Sequence, residues 1–511
     1  MPPLPFVDHN RNEMKPLQRI KGIFEGRGIN ALVGAVLFVI SFMAYMKPLS
    51  HVLFYQEQHH LFLFSHLYFT QQLASHGLMS YLADFIIQFF YYPVLGSILM
   101  ALLITAIYFL AGWAIRLLIR RSDILQLALI PAVATFYYTM AADHSLATLL
   151  TILFALIAFD LLVWLGRRFL FKGRSPFKEL KKGWLTCSFL VVYLIGGYVL
   201  FLKNYNLPER LMLKTEQYVK AGDWNHTLEY TNHYLESGRT NQLISYFHTL
   251  ALYHLGQLPY HLLDYPPVLG VKTLYFPWDS NSRESEYGHF LYEELGYINE
   301  AQRWEFEAMV VWGETAPHLI NLARYNIVNH RPRVAQRFIN VLKQSLFYQG
   351  KARQLEDCLR KGHVPGLRNA LNGVVDRPAR FANVINIGPE LEYLCEKDPK
   401  NKMAFEYLMA DLLLGNNVER FAENLHFIRN FHVMSLPPMY EEALLVYKLK
   451  VGEEAFRKLG FPISKSTEER FQQYYNLAQS GQSELLQEQY GHTYWYYINY
   501  VSPYANKAIT Q

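Results

Sequence analysis

The chain has 511 residues, 51% of them hydrophobic and 15% aromatic, with a net charge of +5 and three cysteines. In residues 1–203 the basic residues gather at the ends of the apolar segments and form no nucleic-acid stripe, so no nucleic-acid partner is expected. Cys187, Cys358 and Cys395 make no CxxC pair and no metal-ligand spacing, which excludes a cysteine-built metal site.

The mean hydropathy of +0.01 averages two unlike parts. Residues 1–28 form a basic N-terminal segment. Residues 29–203 are dominated by Leu, Ile, Phe, Ala and Val, and residues 204–511 read as an ordinary soluble protein. A helix needs about 20 mostly apolar residues to cross a bilayer. Five segments are read as spans, at about 29–46, 93–115, 124–140, 146–165 and 184–202. The third is the shortest and contains Pro131, which a membrane helix tolerates as a kink.

Cytoplasmic loops carry the excess of Lys and Arg. Arg11, Lys15, Arg19, Lys21 and Arg27 precede the first span. Arg116, Arg120 and Arg121 follow the second, and seven basic residues from Arg167 to Lys182 separate the fourth from the fifth. Residues 47–92 hold only Lys47, and residues 141–145 hold none. Five crossings put all three basic loops on one side; four or six do not. The expectation is a multi-pass protein of the bacterial inner membrane, with residues 1–28 cytoplasmic and 204–511 periplasmic. No small-x-small cleavage site follows the first span, at Met43-Ala-Tyr-Met-Lys-Pro, so it reads as an uncleaved anchor. The run up to Lys182 also suits anionic lipid head groups.

The first outer loop holds His51, Glu57, His59, His60, His66, His76 and Asp84, and the second holds Asp143-His144. Glu57, His60, Asp84 and Asp143 are the candidate acid, base or catalytic groups, and His59, His60 and His66 the candidate metal ligands. On a continuous helix Glu57 and His60 share one face, and His59 and His66 another. The bland reading stands beside this one, since interfacial helices carry Tyr, Phe, His and Gln for ordinary reasons. No cofactor is called for.

Beyond Asn204 the apolar residues recur at helical spacing. Gly222-Asp-Trp-Asn-His-Thr-Leu, Gly256, Gly296-Tyr-Ile-Asn-Glu-Ala-Gln and Gly415-Asn-Asn-Val-Glu-Arg-Phe-Ala mark turns between paired helices. Gly222 to Gly256, and Ala301 to Ala335, are each 34 residues apart, the period of tetratricopeptide (TPR) hairpins. Thr227 and Tyr234 replace the expected alanines, and residues 264–286 read as a long loop or insertion. Such arrays offer a concave surface to a protein partner. Thr493-Tyr-Trp-Tyr-Tyr-Ile-Asn-Tyr caps the last helix, touches the membrane or stacks on sugar rings. Cys358 and Cys395 are read as buried thiols, with a disulfide the alternative.

Two resemblances add to this. The order of features is distantly similar to membrane glycosyltransferases that use lipid-linked donors, which would make Glu57 a base and Asp84 or Asp143 a holder of metal or phosphate. More closely, Tyr55-Gln-Glu-Gln, Leu61-Phe62, Tyr81-Leu82, Gln88-Phe-Phe-Tyr-Tyr-Pro93 and Gly96 resemble an uncharacterised family of Gram-negative inner-membrane proteins with a C-terminal helical-repeat domain. That resemblance implies architecture and location and assigns no active-site residue.

The expected fold is all-α: about five transmembrane helices, then an extramembrane TPR-like domain. The expected role is an envelope scaffold or assembly factor that sits in the lipid bilayer and binds a partner protein. The rival is an enzyme or carrier acting on a lipid-linked glycan.

Overall fold

Helices in this chain end where a residue can leave the right-handed region or where a side chain takes over the backbone's hydrogen bonds. The computed structural model describes residues 27–119, 123–170, 183–277, 279–370, 387–431 and 435–504. Every regular element among them is helical. Most of the orienting basic residues (Arg11 to Lys21, Arg120, Arg121, and Lys172 to Lys182) lie outside the described residues. The chain divides into two compact units, residues 1–207 with Gln344–Phe347, and Pro208–Lys343 with Tyr348–Gln511.

The first unit contains α1 (Arg27–Met46), α2 (Ser50–His59), α3 (His66–Ser75), α4 (Leu78–Ile87), α5 (Pro93–Ile119), α6 (Leu129–Tyr138), α7 (Leu146–Leu170) and α8 (Gly183–Asn204). Four of them, α1, α5, α7 and α8, are long and apolar enough to cross a membrane. The third expected span is not such a helix: α6 has 10 residues, about 15 Å of rise. The reason is local. The Asp123 carboxylate accepts from the N–H groups of Leu127 and Ala128, both at 3.0 Å. Gln126 adopts a left-handed φ of 52°, so regular helix begins only after it.

Side-chain bonds give the course of this segment. The Gln126 amide donates to Asn30 Oδ1 at 3.0 Å and accepts from the Tyr108 hydroxyl at 2.8 Å. At the far end, Tyr45 and Thr139 share a hydroxyl bond of 2.6 Å. Asn30 and Tyr45 are fifteen residues apart on α1, about 22 Å along its axis. Residues 126–139 therefore run beside α1, in the same direction, over that distance. Arg167 on α7 donates to the carbonyl of Leu118 on α5 at 3.2 Å, which joins the C-terminal ends of these two helices. Their N-terminal ends both adjoin α2, so α5 and α7 run in the same direction.

The second unit opens with α9 (Leu207–Ala221), α10 (Trp224–Glu236) and α11 (Gln242–His254). It continues with α12 (His289–Leu295), α13 (Ile298–Trp312), α14 (Ala316–Val328), α15 (Pro332–Leu342) and α16 (Gln349–Lys361). After residue 386 come α17 (Gly388–Lys397), α18 (Lys402–Leu414) and α19 (Pro438–Val451), followed by shorter helices. Successive helices from α12 to α16 pack on one another. Gly222, Gly256 and Gly296 have φ of 69°, 68° and 78°, a region that residues with a Cβ rarely adopt, and each separates two helices. Gly415 does not; Asn416, at φ 58°, makes that turn. Ala301, Ala308 and Ala335 are fully buried, which lets the helices approach closely.

Aromatic residues fill the core of this unit, and Tyr246 shows how a polar tip is bonded within it. Its hydroxyl donates to the Tyr287 carbonyl at 3.1 Å and accepts from the Leu291 N–H at 3.0 Å. Within residues 264–286, read as a loop or insertion, the described residues hold only two four-residue helical turns, Gly270–Thr273 and Ser282–Ser285, and pack into the core. Leu274 and Phe276 are buried, and Phe276 lies against the Tyr246 ring at 4.3 Å. The C-terminal aromatic run is also core: Tyr494, Trp495 and Tyr497 are buried, and Tyr497 donates to the Leu414 carbonyl at 2.7 Å. That favours the capping reading over sugar stacking. All three cysteines are free, and burial pushes the Cys395 thiol up to about 12.

Candidate functional site

α2 ends at His59, and residues 60–65 run without helix to Ser65, which caps α3. The segment leaves helix because Phe62 and Leu63 are buried there. Phe62 is ringed by Phe64, Tyr68, Tyr81 and Phe85 at 5.0–5.4 Å between centroids. The helix faces expected to pair Glu57 with His60, and His59 with His66, therefore do not exist.

Nδ1 of His59 meets the Tyr55 carbonyl, and Nδ1 of His60 meets the Gln56 carbonyl, each at 2.8 Å. A carbonyl only accepts, so both rings carry a proton on Nδ1. His66 is exposed at the start of α3. Among the described residues no three His, Cys, Asp or Glu side chains gather to hold a metal ion.

Glu57 is buried on α2 and accepts from the Gln58 amide at 2.7 Å. Asp84, half-buried on α4, accepts from the Tyr68 hydroxyl at 2.8 Å. Burial raises the Asp84 carboxyl above the ordinary Asp value; His60, the Tyr68 bond and His76 pull it partway back. Asp84 and Tyr68 thus form a bonded pair beside the Phe62 ring cluster, with His60 near enough to act on the Asp84 charge. Asp143 is exposed, so Glu57 and Asp143 occupy opposite environments.

Residues 47–92 and 141–145 do meet, through Gln56 rather than through a carboxylate. Its amide donates to the carbonyls of Ala142 and His144, the latter at 3.1 Å. Gln56 is 5% exposed, so removing it strands two carbonyls. Gln56→Ala is expected to cost about 1–3 kcal/mol. Asp143→Ala is expected to stay within about 0.5 kcal/mol. Thermal unfolding of the detergent-solubilised protein reads both, and equal midpoints would refute the assignment.

Sequence reasoning passed over Asp160. It lies midway along α7, fully buried, and neither carboxylate oxygen has a hydrogen-bond partner among the described residues. A carboxyl at membrane depth is costly and marks a functional position by default. The signal was present in the sequence, since Asp160 is the sole acidic residue in any of the five apolar segments.

The family-like motif residues are largely packing residues. Phe90 is buried, and a Cβ on Gly96 would stand 2.9 Å from its ring. No curated protein and no solved structure matches the chain. A family profile described as a family of unknown function, DUF6057, matches residues 27–205 and then 201–501. With nearly the whole chain matched, the protein belongs to the DUF6057 family, whose function is unknown.

Proposed function

We propose that this protein is a membrane-anchored scaffold or assembly factor of the bacterial cell envelope, binding a partner protein through a TPR-like surface on residues 208–511. The observation that carries this is the run of packed helices from α12 to α16, entered through a left-handed glycine at Gly296 and closed up at Ala301, Ala308 and Ala335. Stacked hairpins of this kind build broad, rigid surfaces for peptides and proteins.

The same reading includes five membrane passages, with the N-terminus cytoplasmic and the second unit periplasmic. It is supported by the parallel course of α5 and α7, which requires the chain between them to return across the membrane. Residues 126–139 extend along α1 for about 22 Å, most of a hydrocarbon core of about 30 Å. In a cysteine-free background, a membrane-impermeant maleimide is expected to label Asp143→Cys and Arg333→Cys in intact spheroplasts. Arg167→Cys is expected to react only after lysis. The reverse pattern would refute the orientation. Deleting residues 208–511 should abolish co-purification of a stoichiometric partner, and retention of that partner would refute the scaffold role.

A second reading, an enzyme or carrier for a lipid-linked glycan, is favoured by the bonded Asp84 and Tyr68 pair with His60 near it in the first outer loop. Under it, Asp84→Asn abolishes function at an unchanged protein level; full function would end this reading.

A further inference from the structure

We propose that the cavity lined by Asn299, Gln302, Arg303, Phe306 and Arg331 is a docking site for an acidic peptide segment, with a carboxylate at Arg331 and an apolar side chain on Phe306. The inference rests on the scaffold reading and gives its surface a place and a chemistry.

The lining presents donors whose matching acceptors are already used. Asn329 Nδ2 donates to Asn299 Oδ1 at 3.1 Å and to Gln302 Oε1 at 3.2 Å. Asn369 Nδ2 in turn donates to Asn329 Oδ1 at 3.3 Å. This amide relay occupies the carbonyl oxygens of Asn299 and Gln302. It leaves their NH2 groups with no partner among the described residues. Arg303 is held in place by Glu300 at 2.8 Å and Glu307 at 2.6 Å. Arg331 is exposed and has no ion-pair partner among the described residues. A wall of N–H donors with one uncompensated guanidinium calls for an acceptor-only, negatively charged ligand, and a carboxylate is that group.

Charge extends the same preference along the surface. Residues 331–361 hold eight Lys and Arg against two acids, Glu356 and Asp357. Those acids pair with Lys343 and Arg360. Arg331, Arg333, Arg337, Lys351, Arg353 and Lys361 remain exposed and uncompensated among the described residues.

Size and apolar surface decide between a small molecule and a chain. The cavity holds about 270 Å³, below the range of about 300–1,000 Å³ typical of small-molecule and cofactor pockets. Phe306 is 51% exposed, and Val310, one turn further along α13, is 70% exposed. One or two side chains fill the cavity, and the rest of an extended peptide continues over Val310.

The test uses the full-length protein in nanodiscs of phosphatidylcholine. The probe is a fluorescein-labelled decapeptide containing Phe-Glu-Glu, and its control contains Phe-Gln-Gln. Fluorescence polarisation is expected to show at least tenfold tighter binding of the Glu peptide. Arg331→Glu should weaken that binding at least tenfold, and Phe306→Ser about fivefold. Arg457→Glu, at an exposed position that is not part of the cavity lining, should leave it unchanged. Arg331 and Phe306 are exposed, so their loss does not unfold the domain. Equal binding of the two peptides, or equal effects of Arg331→Glu and Arg457→Glu, would overturn the proposal. Co-purification of a partner from cells reads the scaffold role separately. A wild type with a stoichiometric partner but no preference for the Glu peptide refutes the site and leaves the scaffold standing.

Discussion

Trp304→Ala should destabilise the second unit by about 3–5 kcal/mol, the upper end of what removing one core side chain costs. Trp304 is 1% exposed and lies in the main core of that unit. The backbone of residue 288 approaches so closely that a Cβ there would stand 2.4 Å from the indole, so position 288 must be glycine for the ring to fit. With the indole gone, α12 and α13 face a cavity that neither can close, because both are fixed on their other sides by buried neighbours. Gly288→Val should destabilise as well, by about 1–3 kcal/mol, through the opposite fault of overpacking. Chemical denaturation followed by Trp fluorescence and circular dichroism checks both. A loss below about 1 kcal/mol for Trp304→Ala would mean that the ring is not packed as described.

Asp411→Asn should stabilise the protein at pH 8 and not at pH 4. Asp411 is 3% exposed on α18, and its Oδ1 has no hydrogen-bond partner among the described residues. Burial pushes its carboxyl from 3.8 up to about 7, with Arg420 pulling in the other direction. A raised carboxyl means that the folded state holds the proton more tightly than the unfolded state. Its contribution is therefore fully present below about pH 4, falls as pH rises from about 4 to about 7, and is flat beyond. At about 1.36 kcal/mol per pH unit, the loss reaches on the order of 4 kcal/mol. The amide cannot ionise and escapes it. His248, lowered to about 4 by burial, titrates in the opposite sense, since acid destabilises a histidine kept neutral in the fold. The difference between wild type and Asp411→Asn across pH isolates the one group. A constant difference from pH 4 to pH 8 would show that Asp411 is not buried as an ionisable acid.

How much of the fold was legible in the sequence depended on whether the deciding signal was local. The apolar runs at α1, α5, α7 and α8 are long and continuous, and they read as helices directly. The run at 124–140 is also apolar, yet Asp123 and Gln126 delay regular helix to Leu129, a capping geometry that hydropathy does not carry. Gly222, Gly256 and Gly296 were readable as turns because a left-handed backbone all but demands glycine. The Gly415 turn was misplaced by one residue because asparagine tolerates the same conformation and Asn416 took it.

In residues 47–92, helical spacing extends on paper from α2 through His60. What breaks the helix is burial of Phe62 against rings from α3 and α4, a tertiary contact that has no local signature. Gln56, which joins residues 47–92 to residues 141–145, stands in the family-like Tyr55-Gln-Glu-Gln motif, but nothing local distinguishes it from Gln58 as the one that makes the contact. Asp160 could have been found, since a lone acid in an apolar segment is visible by inspection.

The shortness of α6 has a bearing on how the protein is made. Ten residues supply too little apolar length to cross a bilayer alone. On the five-passage topology, this segment enters the membrane only once α5 and α8 are there to shelter it, since it packs on both and its Tyr137 hydroxyl donates to the Gly197 carbonyl on α8. Insertion of residues 93–204 is then a single cooperative event, with α8 made before α6 is committed. A change on the facing surfaces of α5 or α8 would surface as an inverted or untranslocated C-terminal unit rather than as a loosened membrane bundle.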